Sequence, residues 1–177
     1  MKKNFSSQFL IVSIMILVAA FSRLLTNKFE IWNFTPIIAM SLFSGAEVRD
    51  KRFAFLIPLT AMIITDAFFG FYTGILVVYS ALMIITAFGF LLRKRVNVIS
   101  VILGSLGASA IFFLVTNFAL LYPTTLYPHT LQGIMASYTA GIPFFKNAML
   151  GDLIYSGILF GSYELFFKKM LVPAKAV

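Results

Sequence analysis

RDKRFAFLIPLTAMIITDAFFGFYTGILVVYSALMIITAFGFLLRKR, residues 49–95, contains two apolar runs between two basic clusters. Arg49, Lys51 and Arg52 open the stretch, and Arg93, Lys94 and Arg95 close it. Each run approaches the roughly 20 residues that a helix needs to cross the hydrocarbon of a bilayer. Outward from this stretch, Lys2 and Lys3 precede the first apolar run of the chain, while Lys168, Lys169 and Lys175 follow the last. The other connections carry only Lys28 and, at a helix mouth, Lys146, with Arg23 near the end of the first run. Positive charge thus falls on alternate connections, the pattern of a multi-pass membrane protein with both termini cytoplasmic.

Composition points the same way. Apolar residues make up 60% of the 177 and charged residues 11%, with a mean hydropathy of +0.97, far from an average soluble domain. The net charge of +8 is spread over short loops, so membrane orientation and anionic lipid account for it without nucleic acid. Cysteine is absent, which excludes disulfides and thiolate metal sites. Lys2, Lys3 and the apolar run from Phe9 imitate a signal peptide, but the run extends to about Leu25, which suits a retained span better than a short h-region.

These patterns predict an all-α membrane protein: one domain over 1–177, a six-helix bundle with spans near 8–26, 34–48, 53–70, 72–92, 97–121 and 146–168. The second span is short, and Pro36 suits its start; Pro58 lies inside the third. A long outer loop, 122–145, carries Pro123, Pro128 and Pro143. Within it Leu131, Ile134, Met135 and Tyr138 follow helical spacing and Gly141 offers a stop, so a short amphipathic helix is expected there, as a lid or as an interfacial brace. Small pairs (Gly104 with Ala108, Ser105 with Ser109, Gly157 with Gly161) predict close helix packing.

With both termini inside, the polar side chains of the spans collect in the outer leaflet: Asn33, Asp66, Tyr72, Tyr79, Asn117, Asn147 and Asp152. A carboxylate within the bilayer costs about 2.5–3.5 kcal/mol at its centre, so Asp152 should face a wet cavity or a counter-charge. Arg23 or Lys146 neutralising Asp66 and Asp152 is the structural alternative. The inner halves lack such polarity, which fits an outward-open pocket rather than a channel. Phe34, Tyr79 and loop aromatics, Tyr138 among them, would contact the apolar body of a solute, and Trp32 would anchor at the interface. The lone His129 is a weak metal candidate.

Several strings resemble one family. They are Asn33-Phe34-Thr35-Pro36 with the following Ile37 to Ala46, Asp66-Ala67-Phe68-Phe69-Gly70, Thr116-Asn117-Phe118, Leu126-Tyr127-Pro128-His129, and Lys146-Asn147 with Leu150-Gly151-Asp152. Together they resemble the S components of energy-coupling-factor vitamin transporters, nearest to the solitary cobalamin type. The resemblance implies a six-helix, non-enzymatic substrate-binding subunit of the bacterial inner membrane. It would capture a vitamin-like solute, cobalamin or a related corrinoid first, and bind no cofactor permanently. His129 would be the candidate cobalt ligand, because the cysteine that cobalamin-binding relatives can use is missing. Partners would be the coupling subunit and ATPases of such transporters, or none. No nucleotide-binding G-x-x-x-x-G-K-[ST] occurs. Other readings are an S component for another vitamin, an intramembrane hydrolase built on Asp66 and Asp152, and a membrane scaffold.

Overall fold

The computed structural model describes residues 14, 16–18, 21–26, 28–29 and 33–167. The expected start of the first helix, Trp32 and the lysines of both termini lie outside them. Every regular element among the described residues is helical. The order is α1 (Ile16–Thr26), α2 (Ile37–Glu47), α3 (Lys51–Phe69), α4 (Ile75–Gly89, continued by a tighter turn Phe90–Leu92), α5 (Val98–Thr116) and α6 (Leu131–Ser162, ending in a wide turn Tyr163–Phe167). Three stretches, Lys51–Phe69, Ile75–Leu92 and Val98–Thr116, are long and apolar enough to cross a membrane. The chain is a helical membrane protein.

Helix starts follow from local sequence. Asp50 accepts from the Arg52 amide at 2.8 Å to open α3. Asn97 and Ser100 exchange reciprocal bonds of 2.9 Å at the head of α5, a capping box. Thr130 accepts from the Gly133 amide at 3.2 Å to begin α6.

That last start corrects an expectation. The segment from Leu131 is not a separate amphipathic helix within an outer loop; it is the beginning of a 32-residue α6 that runs through Gly141 and Pro143. At 1.5 Å per residue this is about 48 Å, well beyond a hydrocarbon core of ~30 Å. Glycine marks close approach here, not a stop. A Cβ at Gly133 would lie 2.0 Å from the Pro128 carbonyl oxygen, and one at Gly141 would lie 2.2 Å from Asn117 Oδ1. Proline is tolerated because its only losses are one backbone donor and some straightness.

α2 is the centre of the bundle. Every residue from Ile37 to Ala46 is buried, and the helix touches α3, α4, α5 and α6. Gly45 and Gly89 let α2 and α4 meet backbone to backbone: a Cβ on Gly45 would stand 2.1 Å from the Thr86 carbonyl oxygen, and one on Gly89 would stand 2.5 Å from that of Leu42. The C-terminal carbonyls of α2 are taken by Arg93, whose Nε donates to Gly45 O (2.9 Å) and whose Nη2 donates to Val48 O (2.8 Å). The same guanidinium lies 4.4 Å over the Phe90 ring.

α5 reads inside out compared with a helix of a soluble protein. It buries Gly104, Ser105, Ala108 and Ser109 and turns Val98, Ile99, Leu103 and Leu114 outward. Small residues face neighbouring helices because lipid already solvates the large apolar ones. Gly157 and Gly161, expected as a packing pair, have open space before them among the described residues.

Gly45→Ala and Gly89→Ala should each lower stability by about 1–3 kcal/mol or more, since backbone atoms must move to admit the methyl group. Gly157→Ala should be neutral or slightly stabilising. Thermal unfolding of the three variants in detergent checks the contrast.

Candidate functional site

The expected polar side chains separate into two networks and one cavity, all toward the end of the bundle away from the Arg49–Arg52 and Arg93–Arg95 clusters.

The first network joins α1 to α3 and α4. Asp66 is fully buried, and Arg23 Nη1 binds its Oδ1 at 2.6 Å. The Tyr79 hydroxyl donates to Oδ2 at 2.9 Å. Arg23 also donates to Thr65 Oγ1 and lies 5.7 Å from the Phe69 ring centroid. Of the two expected neutralising partners, Arg23 is the one on Asp66. Tyr72 stands at the rim of this network; partial burial first, and then the negative charge of Asp66, push its phenol above the ordinary value. Burial does the same for Tyr122, whose hydroxyl donates to Thr116 O at 2.6 Å.

The second network lies on the α5/α6 seam. Asp152 is fully buried and makes no ion pair with Lys146. Ser109 Oγ donates to its Oδ2 at 2.6 Å, and the Ala39 amide at the head of α2 is directed at the same carboxyl group. Helix α2 begins at Pro36 with no side-chain cap of its own, which leaves the Ala39 amide to the acid. That placement suits the positive end of a helix dipole. Phe34 packs on Gly151 and on the Tyr155 ring, 5.6 Å between centroids, and Tyr155 pairs with Ser22 at 2.7 Å.

Between Asp152 and the outer end of α5 lies a partly open cavity of about 90 Å³. Asn33, Ser109, Thr116 and Asn117 give it polarity; Phe112, Phe113, Phe144, Phe145, Gly141 and Ala148 complete the walls. Asn33 reaches it in a left-handed conformation, φ 61°, which asparagine tolerates better than most residues. Three of the four polar walls, all but Asn33, have a donor committed to the protein. Ser109 gives its proton to Asp152 (2.6 Å) or to the Ser105 carbonyl (3.1 Å). Thr116 Oγ1 donates to Phe112 O at 2.7 Å, and Asn117 Nδ2 donates to Phe113 O at 2.9 Å. What remains for an occupant is mostly lone pairs.

The outer end is braced rather than loose. Ser137 Oγ donates to Asn117 O at 2.8 Å, and the Tyr138 hydroxyl donates to Leu114 O at 2.9 Å, so Tyr138 ties α6 to α5. His129 Nε2 lies 2.8 Å from the Tyr122 carbonyl; a carbonyl only accepts, so this nitrogen carries the proton and is turned away from metal ligation in this arrangement. Among the described residues no three His, Asp or Glu side chains come together as a metal site. Asn147 is half-buried and engaged by neighbours, outside the cavity wall. Asn33 and Asn117 are therefore the expected residues that share the cavity, while Asp66, Tyr72 and Tyr79 form a separate cluster. Ser109, Thr116 and the four phenylalanines were missed. Ser109 carries a signal, its spacing from Ser105, but that spacing equally predicts helix packing.

Residues 3–175 match the family of unknown function DUF6580, and the chain belongs to that family. No curated protein and no solved structure matches it.

Removing one partner of a buried ion pair strands the other, at about 3–5 kcal/mol. Arg23→Met should lose that much stability, and Arg23→Met combined with Asp66→Asn should lose clearly less than the sum of the two single changes. A double-mutant cycle on thermal unfolding reads the coupling.

Proposed function

We propose that this member of the family is a non-enzymatic, membrane-embedded binding subunit that takes a solute into the cavity between α5 and α6 for import. The observation that carries the reading is the largely acceptor-lined cavity: Ser109, Thr116 and Asn117 each commit a donor to the protein, which favours an occupant with N–H or O–H groups, while the Asn33 amide offers both a donor and an acceptor. The basic clusters occupy the opposite end of the helices, which by the positive-inside rule supports an external cavity end and cytoplasmic termini. The setting is the bacterial inner membrane. Resemblance to S components supplies the class of cargo, a vitamin-sized solute.

Size limits what can enter. A cavity of about 90 Å³ equals roughly three water-sized volumes, whereas pockets that enclose drug-sized ligands span about 300–1,000 Å³. A corrinoid, still the first candidate by resemblance, would present one peripheral carboxamide to this cavity. Its bulk would stay at the mouth unless 117–130 and the first turns of α6 moved aside. Smaller amine- or amide-bearing vitamins need less movement. Energy for transport would come from partner ATPases, or transport would be passive.

A hydrolase built on Asp66 and Asp152 is disfavoured by their partners: Asp66 is held by Arg23 and Tyr79, Asp152 by Ser109. Two carboxyls that share a proton must touch.

Calorimetry on the purified full chain, with cobalamin and a panel of smaller vitamins and no ATP, should find binding. Asn117→Ala and Thr116→Val should each weaken it about tenfold, the value of one lost hydrogen bond to a buried group. Binding of no vitamin in the panel, or unchanged affinity in both variants, overturns the reading.

A further inference from the structure

One turn deeper than the Ser109–Asp152 bond lies a set of polar atoms that the solute cavity does not use. α5 and α6 run antiparallel: Ser137 meets Asn117, and Asp152 meets Ser109 further in. Continuing the register by one turn on each helix sets Ser105 beside Ser156. Asp152, Ser105 and Ser156 are 0%, 1% and 1% exposed. Asp152 Oδ1, Ser105 Oγ and Ser156 Oγ have no hydrogen-bond partner among the described residues. Their neighbours do not behave this way. Ser41, Ser44, Thr65 and Thr86 are equally buried, and each gives its hydroxyl proton to a backbone carbonyl of its own helix.

We infer that Asp152 Oδ1, Ser105 Oγ and Ser156 Oγ form a site for a small monovalent cation, sodium by chemical class, at the inner end of the α5/α6 seam. Three occupants differ in what each would satisfy. A proton on Asp152 cancels the charge but can serve one serine oxygen at most. A water engages the hydroxyls but leaves the carboxylate without a counter-charge, and the head of α2 supplies only about half a unit of positive charge. A single hard cation takes all three oxygens and neutralises the acid, with water or a backbone carbonyl filling its remaining positions. A divalent ion would leave an uncompensated positive charge in an apolar seam. The seam buries Asp152, Ser105 and Ser156 almost completely, which favours a small ion over potassium.

The site does not depend on the solute reading, because it can be tested with the ion alone. The full chain in detergent is heated in sodium, potassium or choline chloride at equal ionic strength, and unfolding is followed by intrinsic fluorescence. The expected result is a saturable rise in melting temperature specific to sodium. Ser156→Ala should be at least as stable as the parent in choline chloride, since it deletes an unpartnered buried oxygen. It should also need about tenfold more sodium for the same rise, the cost of one lost ligand bond. Ser105→Ala and Asp152→Asn should follow, and the serine variants carry the test if Asp152→Asn does not fold. Equal melting in all three salts, which would leave water or a proton as the occupant, overturns the inference. So does an undiminished sodium effect in both serine variants.

Discussion

An eleven-residue helix spans about 16 Å, half the hydrocarbon thickness of a bilayer. At least one end of α2 must therefore finish inside the protein, where unpaired backbone groups cannot turn to water. Both ends are met by side chains from elsewhere. At the C-terminus the Arg93 guanidinium takes the carbonyls of Gly45 and Val48. At the N-terminus the Asp152 carboxyl faces the Ala39 amide. Each charge has the sign that a helix dipole favours at that end. This arrangement fixes where α4 and α6 must lie around α2. It also explains why the Gly45–Gly89 crossing is so close: the Arg93 side chain reaches the end of α2 from the α4 side only if the two backbones touch.

The two buried aspartates show how differently one residue type is used. Asp66 has a full counter-charge in Arg23 and a donor in Tyr79, so its oxygens are accounted for. Its network links α1 to the rest of the bundle through polar contacts, while Leu17, Val18 and Phe21 on the same helix face outward. Asp152 has one hydroxyl donor and a helix end, and one of its oxygens lacks a hydrogen-bond partner among the described residues. Incomplete satisfaction in the interior is costly for stability alone. It is more readily understood where a ligand supplies what the protein withholds.

The long apolar runs from 51 to 116 were legible because lipid imposes a minimum length and an apolar surface, and the basic clusters bracket the segments. Polarity at one end was legible for the same reason: Asp66, Asn117 and Asp152 are rare residue types in such surroundings. The continuity of α6 was not. Gly133, Gly141 and Pro143 read as loop signals, yet the glycines are there to admit the Pro128 carbonyl and the Asn117 amide, contacts that exist only after folding. The pairing of Asp66 with Arg23 was one of two open choices, since sequence distance says nothing about which cation reaches which acid. The cavity walls stayed hidden because Phe112, Phe113, Phe144 and Phe145 are indistinguishable in sequence from lipid-facing aromatics.

Ser109 connects the two halves of the site. Its hydroxyl has one proton, and the 2.6 Å bond commits it to Asp152, so the cavity meets a lone pair at its floor. That polarity depends on what balances the acid. With a metal cation on Oδ1, the carboxylate remains an acceptor and Ser109 must keep donating to it; the floor of the cavity then stays an acceptor. With a proton instead, the carboxyl could become the donor and free the serine proton to turn toward the cavity, which would reverse the preference at the floor. An occupant of the inner position would thus set the hydrogen-bonding character of the outer one through a single hydroxyl, without any displacement of the helices that hold them.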